Sequence, residues 1–168
     1  MVVSKPLSFD PIEEARRQWN AHGWIDSADG MALVTSVIRA QQIYLARIDV
    51  ELRPLHLTFA RFEVLTLLSF ARSGSLPMSR IGVRLQVHPT SVTSSVDRLE
   101  DQGFVRRHAH ATDRRTTLVE ILPAGRQVLK SATVALNDRV FSKPSVSTKD
   151  ARNLFLMLKT LRAAEGDF

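Results

Sequence analysis

The chain of 168 residues is 44% apolar and 24% charged, the mixture of an ordinary globular protein with length for one domain or two small lobes sharing helices. It has no cysteine, which excludes structural disulfides, cysteine-ligated zinc, iron–sulfur clusters and thiol redox sensing. A formal net charge of +6 favours an anionic partner, while the lack of a run of ~18 apolar residues and of a signal pattern excludes a membrane role and makes the cytoplasm the expected location.

The first ten residues read as an arm. Asp10, Pro11 and Glu13 supply a cap, a proline at the first helical position and an acid at the third, and Ile12, Ala15 and Trp19 share the face of the short helix that Gly23 ends. Over about 29–53, Val34, Ile38, Gln41, Leu45, Ile48 and Leu52 alternate steps of four and three, the stripe of a long helix that Pro54 stops. Thr58 caps the next helix, and Leu57 before it can staple onto Phe62. That helix (FARFEVLTLLSFA) is apolar almost all round and is expected to be central and buried. Arg72-Ser73-Gly74-Ser75 then breaks the chain.

Two short helical patterns follow, at 77–86 and 89–102, and Gly103 ends the second. Residues 104–110 and 116–122 read as strands of a hairpin about the polar turn 111–115. Pro123 opens a further helix with Val128, Leu129, Ala132, Leu136 and Val140 as its stripe, closed at Lys143-Pro144. Ser147 with Asp150 forms a capping box for a last helix ridged by Leu154, Leu158 and Leu161.

The segment 77–122 carries the functional signal. Its second helix opens at His88-Pro89-Thr90-Ser91, with the histidine at the cap. Val92, Val96 and Leu99 form a narrow inward stripe, leaving Thr90, Ser91, Ser94, Ser95 and Arg98 on the other faces. Small hydroxyl residues let a helix approach the major groove closely, and its N-terminal amides suit a phosphate. Serine and threonine are poor interior helix residues, so the run Thr93-Ser94-Ser95 calls for a reason. The hairpin that follows carries Arg106, Arg107, His108, His110, Arg114 and Arg115 against the single acid Asp113, a composition suited to a wing lying on the DNA backbone. Asp113 is expected to orient Arg115 or to pin the wing to the helix.

LTFARFEVLTLL and SRIGVRLQVHPTSVTSSVDRLEDQGFVRRHAHATDRRTTLVEILPAG together resemble the multiple antibiotic resistance regulator (MarR) family over roughly residues 57–126. The matching features are DRLEDQGFVRR, the wing DRR and the exit into a helix at PAG. The resemblance implies a mainly α fold with a small β-hairpin wing: a winged helix-turn-helix joined to a helical dimerisation lobe. The expected division is an arm and short helix at 1–28, a dimerisation helix at 29–56, the DNA-binding domain at 57–122, and dimerisation helices at 123–168.

Double-stranded DNA and a second copy of the chain are the implied partners, with Leu154, Leu158 and Leu161 at the dimer seam. The expected DNA-binding set is Pro89, Thr90, Ser91, Thr93, Ser94, Ser95, Arg98, Arg107, Asp113, Arg114 and Arg115. Arg98 would be a backbone contact, and Arg115 or Arg114 the wing-tip arginine. The sequence departs from the family at Gln86, where many relatives have glycine, and at Leu122, where they often have a threonine cap.

The resemblance further implies an aromatic, anionic or acyl effector, for which Trp24, Arg39 and Gln42 are the candidate contacts. His108 and His110 share a strand face but make a poor metal site without a third ligand, so no metal is expected. No catalytic motif or phosphate-cradling glycine loop is present, and no enzyme or cofactor is expected. The rival reading is a sequence-independent architectural DNA binder without an effector.

Overall fold

The computed structural model describes residues 7–113 and 115–168. In chain order they form α1 (Pro11–Ala21), α2 (Ile25–Leu52), a 3-10 turn (Arg53–Leu55), α3 (Phe59–Phe70), β1 (Ser75–Pro77), α4 (Met78–Leu85) and α5 (Pro89–Asp101). There follow β2 (Val105–Ala109), β3 (Thr117–Ile121), α6 (Pro123–Leu136), a π-helical turn (Asn137–Phe141) and α7 (Thr148–Ala164). The fold is therefore mainly α with a small antiparallel sheet, as expected. The chain divides into two compact units, Met1–Arg47 and Ile48–Phe168, the boundary falling inside α2.

In the first unit, Asp10 accepts a hydrogen bond from the Ile12 amide at 2.9 Å and Pro11 occupies the first turn, so the local signals act as expected. Arg16 bonds Asp29 at 3.1 Å and fixes α1 to the start of α2. That start lies at Ile25, four residues ahead of the expected one, in a stretch with no capping signal to mark it.

In the second unit, Thr58 caps α3 by accepting from the Arg61 amide at 3.4 Å. Phe62, Val64, Leu65 and Leu68 of α3 are buried, and Leu57 joins them in one core. Ile48 and Leu52 from the end of α2, Ile81 of α4, Val92, Val96 and Leu99 of α5, and Leu129, Ala132 and Leu136 of α6 belong to that core, as do Leu76, Val105, Val119 and Ile121 from the sheet and Val140. Each fully buried aliphatic side chain contributes on the order of 1.5–3 kcal/mol.

The wing is not a hairpin alone. The sheet order is β1-β3-β2, with Leu76 opposite Val119 and Arg106 opposite Glu120. Strand β1 spans only three residues and includes Pro77, too short for an alternation pattern, so the expected break at 72–75 ran directly into it.

At the exit from the sheet the Leu122 amide donates to the Phe104 carbonyl at 2.9 Å. A Cβ at Gly125 would collide with that same carbonyl oxygen, so glycine is what lets α6 seat there. Leu122 makes no side-chain cap, the consequence of the family departure noted at that position.

Candidate nucleic-acid interface

The turn between α4 and α5 is built on Gln86, whose φ of 53° lies in the left-handed region that glycine fills more cheaply. Its backbone position is closed by the Val87 amide donating to Gly82 O at 3.2 Å. Its side chain has a use that glycine would lack: Nε2 donates to the Asp167 carbonyl at 2.6 Å, tying the turn to the segment after α7. Asp167 is itself held by Arg162, whose Nε donates to its carboxylate at 2.6 Å.

His88 caps α5 as expected, Nδ1 accepting from the Thr90 amide at 3.3 Å, and Pro89 follows in the first turn. Val92, Val96 and Leu99 are buried, so the helix is fixed by one stripe. Pro89, Thr90, Ser91, Thr93, Ser94 and Arg98 are exposed, and Ser95 is half-buried. Thr93 Oγ1 donates to Pro89 O at 3.1 Å, whereas the hydroxyls of Ser91, Ser94 and Ser95 have no partner among the described residues. The first two turns of α5 thus offer an acid-free surface of small polar groups.

Arg107, on β2, reaches across to α5. Its Nη1 donates to Glu100 Oε2 at 2.6 Å, its Nη2 to Asp97 Oδ1 at 2.6 Å, and its backbone amide to Glu100 Oε1 at 2.7 Å. Nη2 also lies 3.3 Å from Thr93 O. Partial burial disfavours the charge, but the hydrogen bonds to Glu100 and Asp97 outweigh it and hold the guanidinium above its ordinary pKa. Arg107 is therefore a clamp fixing the wing strand to α5. Asp97 and Glu100 were not among the expected site residues; the signal that could have found them is two acids three apart on the helix preceding a basic strand.

The wing turn is organised by Asp113. Its Oδ1 accepts from the Arg115 amide at 3.0 Å and its Oδ2 from Thr116 Oγ1 at 2.7 Å. The Thr116 hydroxyl, the Arg115 amide and the charge of His110 keep this carboxyl below the ordinary aspartate pKa. Asp113 thus orients the backbone at Arg115 rather than its guanidinium, which is exposed and has no partner among the described residues. Arg114 lies outside the described residues. On the outer sheet face Arg106 Nε donates to Glu120 at 2.7 Å, and that bond leads in holding Glu120 below the usual carboxylate range.

Arg98 is exposed and lies 4.0 Å from Asp101. Arg61, behind it on α3, bonds two neutral acceptors, Thr58 Oγ1 and Gln102 Oε1, both at 3.3 Å. Burial, and then the charge of Arg98, lower the Arg61 pKa.

The three candidate effector contacts do not meet in one protomer. Trp24 sits ahead of α2, stacked on His22 and edge-on to Trp19 with centroids 5.5 and 5.2 Å apart. Arg39 bonds Gln42 at 3.1 Å one turn along α2, and the helical rise separates that pair from the Trp24 end by about 21 Å. On α7, Leu154 and Leu161 are exposed together with Phe155, Leu156 and Met157, while Leu158 is half-buried. Among the described residues no three metal-binding side chains gather, and no helix is long and apolar enough to cross a membrane.

The MarR family model matches residues 57–117. A MarR family transcriptional regulator of Streptomyces coelicolor is 46% identical, the match covering 83% of this chain and 97% of that one with a TM-score of 0.76. A mutant MarR of Escherichia coli solved with operator DNA shares the fold at 20% identity, over 80% of this chain and 96% of that one, with a TM-score of 0.73. Among curated proteins, an HTH-type transcriptional regulator of Mycobacterium leprae is 27% identical over 92 residues, 55% of this chain. The chain spans 64% of the length of that relative.

Proposed function

Since the chain belongs to the MarR family of transcriptional regulators, we propose that it binds double-stranded DNA as a homodimer, each winged helix reading one half-site of a pseudo-palindromic operator. The observation that carries this reading is the Arg107 clamp: it locks the wing strand to the far half of α5 while the near half stays exposed and acid-free. Such a unit can present hydroxyls to base edges and Arg115 to the backbone at a set spacing. Thr90, Ser91, Ser94 and Ser95 face the major groove, Arg98 contacts a phosphate, and Arg107 acts by positioning.

In this reading residues 57–122 form the DNA-binding domain, preceded by the arm and helix of 1–28. The dimer is formed by 29–56 and 123–168. Exposed Leu154, Phe155, Met157 and Leu161 on α7 support a seam there, since a monomer would leave that apolar ridge in water. Half-sites fall about one helical turn apart, ~34 Å, so a modest change in the angle between protomers would release the operator. Occupancy at a promoter would repress transcription, and a small effector would relieve it, as the family resemblance implies.

Fluorescence anisotropy on the chain's own upstream DNA and on scrambled DNA, at two salt concentrations, tests the proposal. Tight binding to the upstream sequence alone is the expected result. Equal, steeply salt-dependent binding to both would replace operator recognition by architectural coating.

A further inference from the structure

The wing carries a hydroxyl that the fold leaves idle. Thr117, the first residue of β3, is exposed, and its Oγ1 has no partner among the described residues. The other wing threonines are engaged: Thr116 Oγ1 donates to Asp113 at 2.7 Å, and Thr112 Oγ1 lies 3.3 Å from His110 Nδ1. Thr117 pairs with Ala109 in the same register that sets Arg107 opposite Val119, so alternation puts it on the sheet face turned to α5. It stands on that face beyond Val119, the last buried residue of β3 towards the turn.

The residues ahead of it are cationic. The sequence holds three arginine pairs, Arg16-Arg17, Arg106-Arg107 and Arg114-Arg115. Two positions past them stand Trp19, Ala109 and Thr117, so only the last pair precedes a hydroxyl at that spacing. Arg115 is exposed and without a partner among the described residues, and the apolar Leu118 follows Thr117. The free hydroxyls of Ser91, Ser94 and Ser95 have no lysine or arginine in the three positions before them. A protein kinase whose substrate cleft is lined by carboxylates selects its acceptor by guanidinium groups just ahead of the hydroxyl, each able to pair with a carboxylate through two parallel N–H donors.

We propose that Thr117 is a phosphorylation site for a protein kinase of that arginine-directed class. Thr117 Oγ1 attacks the γ-phosphorus of a magnesium-bound nucleoside triphosphate. The new O–P bond forms as the bond from that phosphorus to the β,γ-bridging oxygen breaks; the nucleoside diphosphate leaves, and the hydroxyl proton passes to the kinase's catalytic aspartate. Thr117 and Ala109 are the end pair of the β2–β3 ladder, so the kinase has to open only that rung and the turn beyond it. The product places a charge of about −1.5 to −2 two residues from Arg115. In the DNA-binding reading Arg115 meets the DNA backbone, so the modified wing repels it and the protein lets go. That consequence rests on the DNA-binding reading; the phosphoryl transfer itself does not.

The test treats the folded full chain with magnesium ATP and the catalytic subunit of the cyclic AMP-dependent protein kinase, a kinase of this class, and locates phosphate by fragmentation mass spectrometry. One phosphate on Thr117 is expected. It should be absent in Thr117→Val, a change that an exposed strand position tolerates. In Arg115→Gln it should form about tenfold more slowly or worse, the scale of losing a charge-assisted hydrogen bond. Phosphate on Thr116 or elsewhere with Thr117 unmodified, or an unchanged rate in Arg115→Gln, would overturn the site. Anisotropy then compares modified and unmodified chains, and affinity for both upstream and scrambled DNA should be at least about tenfold lower after modification. Equal affinity would overturn the switch. An unmodified chain that bound neither DNA would overturn the DNA-binding reading alone, since the phosphate is located by mass with no DNA present.

Discussion

Arg107 and Glu100 are joined twice: one carboxylate oxygen takes the backbone amide at 2.7 Å and the other takes the guanidinium at 2.6 Å. A single glutamate on α5 therefore fixes both the main chain and the side chain of Arg107 on the wing strand. Asp97, one turn earlier, takes the second guanidinium nitrogen at 2.6 Å.

Arg107→Ala should destabilise the protein by about 2 kcal/mol, the loss of hydrogen bonds to charged groups, because it leaves two carboxylates facing each other. Urea denaturation measures this. The slope of log affinity for DNA against log salt should keep its wild-type value. A slope smaller by about one would mean that Arg107 reaches a phosphate.

Arg115→Ala should show the opposite pattern. Stability is unchanged, since the side chain has no partner among the described residues, but DNA binding weakens and the salt slope falls by about one unit. Anisotropy across a salt series reads both, and an unaltered slope removes Arg115 from the interface.

Ser94 is exposed on the near half of α5. Ser94→Trp should leave the circular dichroism spectrum and melting temperature intact while operator preference over scrambled DNA disappears, because a large side chain holds the helix away from base edges. Retained preference would show that another face of α5 meets the DNA.

Leu154 and Leu161 are 45% and 44% exposed, so neither is needed to fold the protomer. Leu154→Asp/Leu161→Asp should convert a sedimenting dimer to a folded monomer, since a charge buried in an apolar seam without a partner is costly. A variant that still sediments as a dimer would move the interface off α7.

Asp113 keeps its proton off to a lower pH in the folded wing than in an unfolded chain. Its contribution to the turn is complete above the unfolded pKa and is lost as pH falls through the lower, folded value. Amide exchange at Arg115 and Thr116 should therefore lose protection, after correction for intrinsic rates, as the protein is acidified. In Asp113→Asn the protection should vary less with pH. Identical pH profiles in both proteins would show that another group governs the turn.

What could be read in advance was what is local. Asp10, Thr58, His88 and Ser147 cap helices within two or three residues of themselves, so their roles are written in adjacent positions. Val92, Val96 and Leu99 are equally legible, because one helix face repeats in the chain. The double role of Arg107 depends on Asp97 and Glu100 being folded alongside β2, and β1 is visible only through its partner β3. The tether from Gln86 to Asp167 spans 81 positions, and a glutamine where relatives carry glycine announced only that the turn was unusual.

The strand order β1-β3-β2 has a consequence for solubility. It leaves two open sheet edges, each of which could recruit a strand from another molecule. On one edge β1 offers three residues ending in proline, too little to template anything. On the other, β2 reads VRRHA, and the outward amide of Arg107 is already plugged by the Glu100 carboxylate. The cations that suit a phosphate backbone also make this edge a poor seed for aggregation. Replacing Arg106 and His108 with valine would turn it into an apolar, β-branched ribbon, so variants that trim the wing's charge carry a risk of precipitation that has nothing to do with DNA.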